Sequence, residues 1–228
     1  MFHRWFLITI LMLAFLGLVS CSSTTDWVNF IKYNGITYLG DSANAGRALT
    51  KNDLGPQFAT VKSKLSGNVN IPGYQLQDGD AAFLNVGTPI YTMKGYKSTF
   101  RLVAYDSNNN NHLVLFEADT NPNAKRGSDL LDIGGKVQYI GVNKENDGTT
   151  QLGAVKDPSK VALLAQMVLT ASVDQSRSLQ DESQYFISFY LKDNTVVTRA
   201  YGQQSRALSR GILLPEAFAT AIQAAISK

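Results

Sequence analysis

The chain has 228 residues, 44% of them hydrophobic and 17% charged, a globular composition with enough apolar side chains for a sizeable core. Its 21 lysines and arginines against 18 acids give a formal charge of +3, which supplies no electrostatic reason to expect a nucleic-acid partner. One cysteine and two histidines exclude, within a single chain, a disulfide, the common Cys-rich or multi-histidine zinc sites and any cofactor held by such ligands, so neither metal nor cofactor is expected.

Met1–Arg4 carry one fixed cation, and Trp5–Val19 form an apolar run of 15 residues. As a helix that run would span about 22 Å at 1.5 Å per residue, short of a bilayer core of roughly 30 Å. With a small residue at Ser20, residues 1–20 read as a removable export signal. Leu18-Val19-Ser20-Cys21 resembles the lipobox of bacterial lipoproteins. The resemblance implies cleavage before Cys21 and a thioether-linked diacylglycerol on its sulfur, with residues 21–26 forming the lipidated cysteine and a short tether. The membrane, held through Cys21, is then the expected partner. The expected location is the extracytoplasmic face of the cell membrane, or the outer membrane in a Gram-negative source, where Ser22 after the lipidated cysteine would suit. An uncleaved anchor helix and plain secretion are the competing readings. An unpaired thiol in an exported chain speaks against the latter. Two acyl chains suffice for stable anchoring, since each buried methylene contributes about 0.8 kcal/mol.

Removing residues 1–20 from 228 leaves 208, enough for one large domain or two small ones. The expected fold class is α+β: a β-rich, barrel-like or sandwich-like region over 27–145, then a smaller α+β unit over 149–228. In the first region Trp27–Tyr33 and Ile36–Leu39 flank Asn34-Gly35, the signature of a hairpin closed by a type I′ turn. Trp27 is placed in the strand rather than at a membrane interface. Residues 40–56 read as loop, with at most one helical turn near Thr50–Leu54. Further strands are expected at Phe58–Leu65, Pro89–Met93, Thr99–Tyr105, His112–Ala118 and Lys136–Val142, separated by turns such as Asp78-Gly79-Asp80 and Asn108–Asn111. In Thr99–Tyr105, Phe100, Leu102 and Ala104 alternate with Arg101, Val103 and Tyr105, so one face is expected to be buried.

The last third changes period. Asp157-Pro158 supplies an N-cap and a first-turn proline ahead of Val161, Leu164, Ala165 and Val168, the i, i+3, i+4, i+7 stripe of an amphipathic helix. A second hairpin is expected from Tyr185–Leu191 and Thr195–Tyr201 around Lys192-Asp193-Asn194. Pro215-Glu216 then opens a final helix with Phe218, Ala221, Ile222, Ala225 and Ile226 on one face. Both apolar helix faces are expected to cover the hairpin sheet.

Chemistry is sparse in this chain. With His3 lost in the leader, His112 is the one histidine available to a triad, and no Gly-x-Ser-x-Gly elbow accompanies it. No phosphate-cradling glycine loop appears. The carboxylate pairs Asp78/Asp80, Glu117/Asp119 and Asp181/Glu182 could serve hydrolysis of a wall polymer, although spacing in sequence does not fix the carboxyl separation. Asn143-x-Glu145-x-Asp147-Gly148 has the opening rhythm of a calcium loop, but Ala154 stands where a bidentate Glu is required, so a connecting turn is preferred. Two cationic sets, Lys94, Lys97 and Arg101, and Arg199, Arg206 and Arg210, are the candidates for contact with anionic envelope polymer or lipid headgroups, and the interleaved Tyr91, Tyr96, Tyr105 and Tyr201 would suit carbohydrate or peptide contact by stacking.

Gly87-Thr88-Pro89-Ile90-Tyr91 with Gly95-Tyr96 and Phe100-Arg101, and Asp193–Tyr201 followed by Leu208–Pro215, are similar to uncharacterised lipoproteins of Gram-positive bacteria. No activity or site residue follows from that likeness. The expected function is a membrane-anchored envelope lipoprotein acting as a non-catalytic binding or interaction module. The alternatives are a carboxylate-dependent hydrolase of wall glycan or peptide, and a membrane-tethered regulator of a partner protein.

Overall fold

A computed structural model describes residues 27–40, 46–69, 73–107, 112–177, 179, 182 and 184–227. The leader, Cys21, the tether to residue 26, the turn Asn108–Asn111 and Asp181 lie outside the described residues. Two sheets organise the rest. The first holds β1 (Phe30–Tyr33), β2 (Ile36–Gly40), β3 (Leu54–Thr60), β4 (Ser63–Lys64), β5 (Asp80–Ala81), β6 (Pro89–Met93), β7 (Arg101–Asp106) and β8 (His112–Thr120). Its spatial order is β3-β6-β7-β8-β2-β1-β5-β4, curled into a half-barrel. The second holds β9 (Val137–Asn143), β10 (Gln151–Val155), β11 (Gln184–Leu191), β12 (Val196–Gly202), β13 (Ala207–Leu208) and β14 (Ile212–Leu213), in the order β10-β9-β11-β12-β13-β14. Helices α1 (Pro158–Thr170) and α2 (Glu216–Ile226) complete an α+β fold with a β-rich majority, the class the sequence predicts.

The β1–β2 hairpin forms as expected: Asn34 and Gly35 both sit at positive φ, 51° and 73°, and Tyr33 pairs with Ile36. Trp27 differs from expectation. The strand begins at Phe30, and the Trp27 ring packs on Phe30 at 5.9 Å ahead of it. The strand expected at 58–65 runs instead as β3 over 54–60 and breaks at Val61, because the chain changes partners there. Val61 N–H donates to Thr88 and Lys62 N–H to Gly79, which carries the chain from β6 to a parallel pairing with β5. Pro56, unable to donate, lies in β3, an edge strand.

β7 also departs from its pattern. Four consecutive residues, Arg101–Ala104, are buried, so both faces are covered rather than one. Leu102 and Ala104 point into the half-barrel with Ile31, Tyr38, Ile90 and Phe116, while Val103 packs with Met93 and Leu115 on the other side. The strand expected at 136–142 joins the second sheet, between β10 and β11, so the change of sheet precedes Val137.

The second sheet is covered by the two helices. Asp157 caps α1, its carboxylate accepting from Lys160 N–H at 2.8 Å, with Pro158 in the first turn. Val161, Leu164, Ala165 and Val168 are the residues α1 buries, as the spacing predicts. Phe218 and Ile222 do the same for α2, and both stripes meet Ile140, Val142, Ile187 and Phe189.

Candidate binding cleft

The two sheets meet where β8 faces β11 and β12. Along β8, Val114, Phe116 and Ala118 fill the half-barrel, which turns Leu115, Glu117 and Asp119 to the other side. Opposite stand Phe186 of β11, Val196, Thr198 and Ala200 of β12, and the turn residues Ser209 and Arg210. Between these walls lies a cleft of about 290 Å³.

Its floor is a buried ion-pair network. Arg101 and Glu117 are direct partners in the β7–β8 register, and Arg101 is fully buried. Its Nε and Nη2 donate to Glu117 Oε1 at 2.9 and 2.5 Å, Nη1 donates to Thr195 Oγ1 at 2.7 Å, and Nη2 reaches the Val196 carbonyl at 3.2 Å. The guanidinium also lies over the Tyr96 ring, 4.6 Å from its centroid. Thr195 passes the chain on, its hydroxyl donating to Asp193 Oδ1 at 2.7 Å, while Tyr96 OH donates to Asp193 Oδ2 at 2.8 Å. Burial pushes the Asp193 carboxyl up, but the Thr195 hydroxyl, the Thr195 N–H and Tyr96 OH outweigh it and hold the group below the usual carboxylate range. Burial raises the Tyr96 phenol to about 12, so it stays a donor at every physiological pH.

Arg199 closes the network from the second sheet, with Nη1 donating to Glu117 Oε2 at 3.1 Å and to the Thr198 carbonyl at 2.9 Å. Asp119, two residues along β8, accepts from Arg210 Nε at 2.7 Å. Three guanidiniums therefore surround two carboxylates.

Of the six cations singled out from sequence, Arg101, Arg199 and Arg210 come together here. Arg101 is sealed off by its burial and acts from beneath the site, whereas the Arg210 side chain is 48% exposed at the rim. Lys94 and Lys97 are exposed on the β6–β7 connection, outside the cleft, and the exposed Arg206 meets Glu216 at 3.5 Å.

Among the acids, Glu117 and Asp119 share one wall of the cleft. Asp78 instead accepts from Gly35 N–H, Asp80 from Gln77 N–H and Tyr74 OH, and Glu182 from Gln204 and Ser205 N–H. The segment Asn143–Gly148 is a turn in which Asp147 accepts from the N–H groups of Thr149 and Thr150. His112 stands exposed at the start of β8. Tyr96, a stacking candidate from the sequence, instead lies under Arg101 and donates to Asp193, while Thr195 and Asp193 are not among the sequence candidates for a site. An Asp two residues before a Thr in a hairpin turn is the single local signal for that pair.

Among the described residues no three His, Cys, Asp or Glu side chains come together as a metal-ligand set, and no helix is long and apolar enough to cross a membrane. In comparisons with protein-family models, curated proteins and solved structures, nothing matches this chain.

Proposed function

We propose that the chain is an envelope lipoprotein anchored through Cys21, whose body is a non-catalytic binding module with the inter-sheet cleft as its ligand site. One observation carries the reading: both carboxylates that face the cleft are held by arginines. Glu117 accepts with Oε1 and Oε2, and Asp119 accepts from Arg210. A general acid or base needs a carboxylate oxygen free to reach the substrate proton; both Glu117 oxygens are taken by guanidiniums, and those of Asp119 by Arg210 and the Thr120 hydroxyl. The apolar walls at Leu39, Leu115 and Phe186, with Thr198, Ser209 and Arg210 at the rim, suit holding a ligand by shape and a few directed hydrogen bonds. The half-exposed guanidinium of Arg210 at the rim favours an anionic group, as an envelope polymer would present.

A second reading has its own observation, since Glu117 and Asp119 line the same cleft, as a carboxylate hydrolase of wall polymer requires. One experiment separates the two. Purified wall polymer is incubated with wild type, Arg210→Ala, Glu117→Gln and Asp119→Asn, with pelleted complex and released fragments both measured. The binding reading expects co-sedimentation weakened by Arg210→Ala and no fragments from any form. Fragment release by wild type that disappears in a folded Glu117→Gln or Asp119→Asn protein overturns it. Anchoring is read separately, by fatty-acid labelling and membrane fractionation of wild type against Cys21→Ser.

A further inference from the structure

Several segments converge at one end of the first sheet. β1 and β2 pair Phe30 with Leu39, Gly40 N–H donates to the Asn29 carbonyl, and β2 runs antiparallel to β8 with Gly40 opposite Phe116. Trp27 and Val28 therefore extend toward the end of the sheet at which β7 stops and β8 starts, where Asp106 pairs with His112. The 82–88 connection reaches the same end: Ala82 N–H donates to the Phe30 carbonyl, and Asn85 Nδ2 donates to Ser107 Oγ at 2.9 Å. Lys64 Nζ donates to Asn85 Oδ1 at 3.0 Å, which brings a cation to this end as well.

This end carries the two most exposed large apolar side chains among the described residues, Val28 at 67% and Val86 at 65%. The half-buried Trp27, next to Val28 in the chain, packs on a small apolar cluster with Phe30, Tyr74 and Phe83. An aromatic with a polar N–H, aliphatic side chains left in water and a nearby lysine are the composition of a headgroup-level contact. Chain length points the same way. Trp27 follows Cys21 by six residues, a reach of at most about 20 to 22 Å when fully extended.

We infer that this end of the sheet seats on the bilayer surface, with Trp27, Val28 and Val86 at the headgroup boundary and Lys64 among the lipid phosphates. The inference rests on the anchoring of Cys21 proposed above. It also orients the cleft: Asp119 lies seven residues beyond His112 on β8, about 23 Å along the strand, so the Arg210 rim opens away from the membrane.

Trp5 and Trp27 are the two tryptophans of the chain, so a Trp5→Phe protein reports Trp27 alone. The lipid-bearing protein is reconstituted into vesicles of anionic lipid with and without brominated acyl chains, and Cys21 acylation is read in parallel with a fatty-acid probe. The expected result is Trp27 emission at least halved by the brominated lipid, with most of it restored in a Val28→Asp, Val86→Asp double variant whose circular dichroism matches wild type. Equal emission in both vesicles, with the acyl label present, overturns the seating while leaving the anchor intact. If Cys21 carries no acyl label, the anchor reading falls. The same vesicles then decide the patch by itself: quenching of the added protein supports it, and unquenched Trp27 overturns it.

Discussion

Arg101 and Glu117 are cross-strand partners of β7 and β8, and the same guanidinium that takes the Glu117 carboxylate also holds the β11–β12 hairpin through Thr195 and the Val196 carbonyl. One side chain thus links both sheets. Removing Arg101 leaves Glu117 with Arg199 alone and breaks the tie to Thr195 and the Val196 carbonyl, a loss of up to about 3 to 5 kcal/mol. Arg101→Met should therefore lower the urea midpoint strongly, and Arg101→Lys should fail to restore it, since an ammonium cannot supply the planar set of donors. The double variant Arg101→Met, Glu117→Leu should recover only part of the loss, because Arg199 then loses its carboxylate and keeps the Thr198 carbonyl. Denaturation of the three proteins, followed by far-UV circular dichroism, checks the order.

Arg210 differs from Arg101 because its side chain is 48% exposed. Exposed pairs contribute little, about 0 to 1 kcal/mol, so Arg210→Ala should leave stability nearly unchanged. Its effect should fall on ligand binding. Co-sedimentation with wall polymer at low and high salt should show wild-type binding decreasing with salt, and Arg210→Ala weaker at low salt with a shallower dependence.

Acid should weaken the loop that precedes β3. Arg47 donates to both oxygens of Asp53, at 3.0 and 2.6 Å, and that hydrogen bonding, helped by Thr50 and opposed by burial, lowers the Asp53 carboxyl from 3.8 to about 2. A carboxyl depressed in the folded state contributes stability that is fully present above its unfolded value and is lost as pH falls through the folded one. The difference in urea midpoint between wild type and Asp53→Asn should therefore be constant at neutral pH, shrink between about pH 4 and pH 2, and vanish below. A difference that persists unchanged at pH 2 would contradict the assignment.

The parts of the fold legible in the sequence are those specified by neighbours in the chain. Asn34-Gly35 determines a turn that needs positive φ twice, and Asp157-Pro158 caps a helix whose stripe lies within its next eleven residues. The burial of Arg101 has no such local signature. A period-two reading leaves its face of β7 wet, and what covers it is a hairpin 94 residues away. The cleft follows the same logic. Arg101 and Glu117 are 16 residues apart in adjacent strands, so a correct register implies their contact, but Arg199 reaches Glu117 across 82 residues and Arg210 reaches Asp119 across 91. Each charge is visible alone. The pairing that turns two candidate catalytic acids into bound partners arises when the second sheet docks. The two-residue strands β5, β13 and β14 were equally illegible, being too short to show a period.

Packing between α1 and the 3-10 turn at Gly127–Asp129 gives a steric prediction independent of the charges. Gly127 N–H donates to the Ala171 carbonyl at 2.9 Å, and a Cβ at residue 127 would collide with the Val168 carbonyl oxygen. That oxygen is helix backbone near the end of α1, so it cannot rotate away as a side chain would. Gly127 has no positive φ, which removes backbone strain from the comparison. Gly127→Ala should cost about 1 to 3 kcal/mol, the range for forced overpacking. Gly134→Ala is the control, because its Cβ would meet the flexible Leu169 Cδ1 at 3.2 Å on an exposed turn. There the reduced entropy of the unfolded chain, which stabilises by about 0.4 to 1 kcal/mol, should offset the contact. Urea midpoints should separate the two alanines clearly at equal m-value. Equal midpoints would mean that α1 shifts off the turn at no cost, and its docking would then be looser than the Gly127 contact implies.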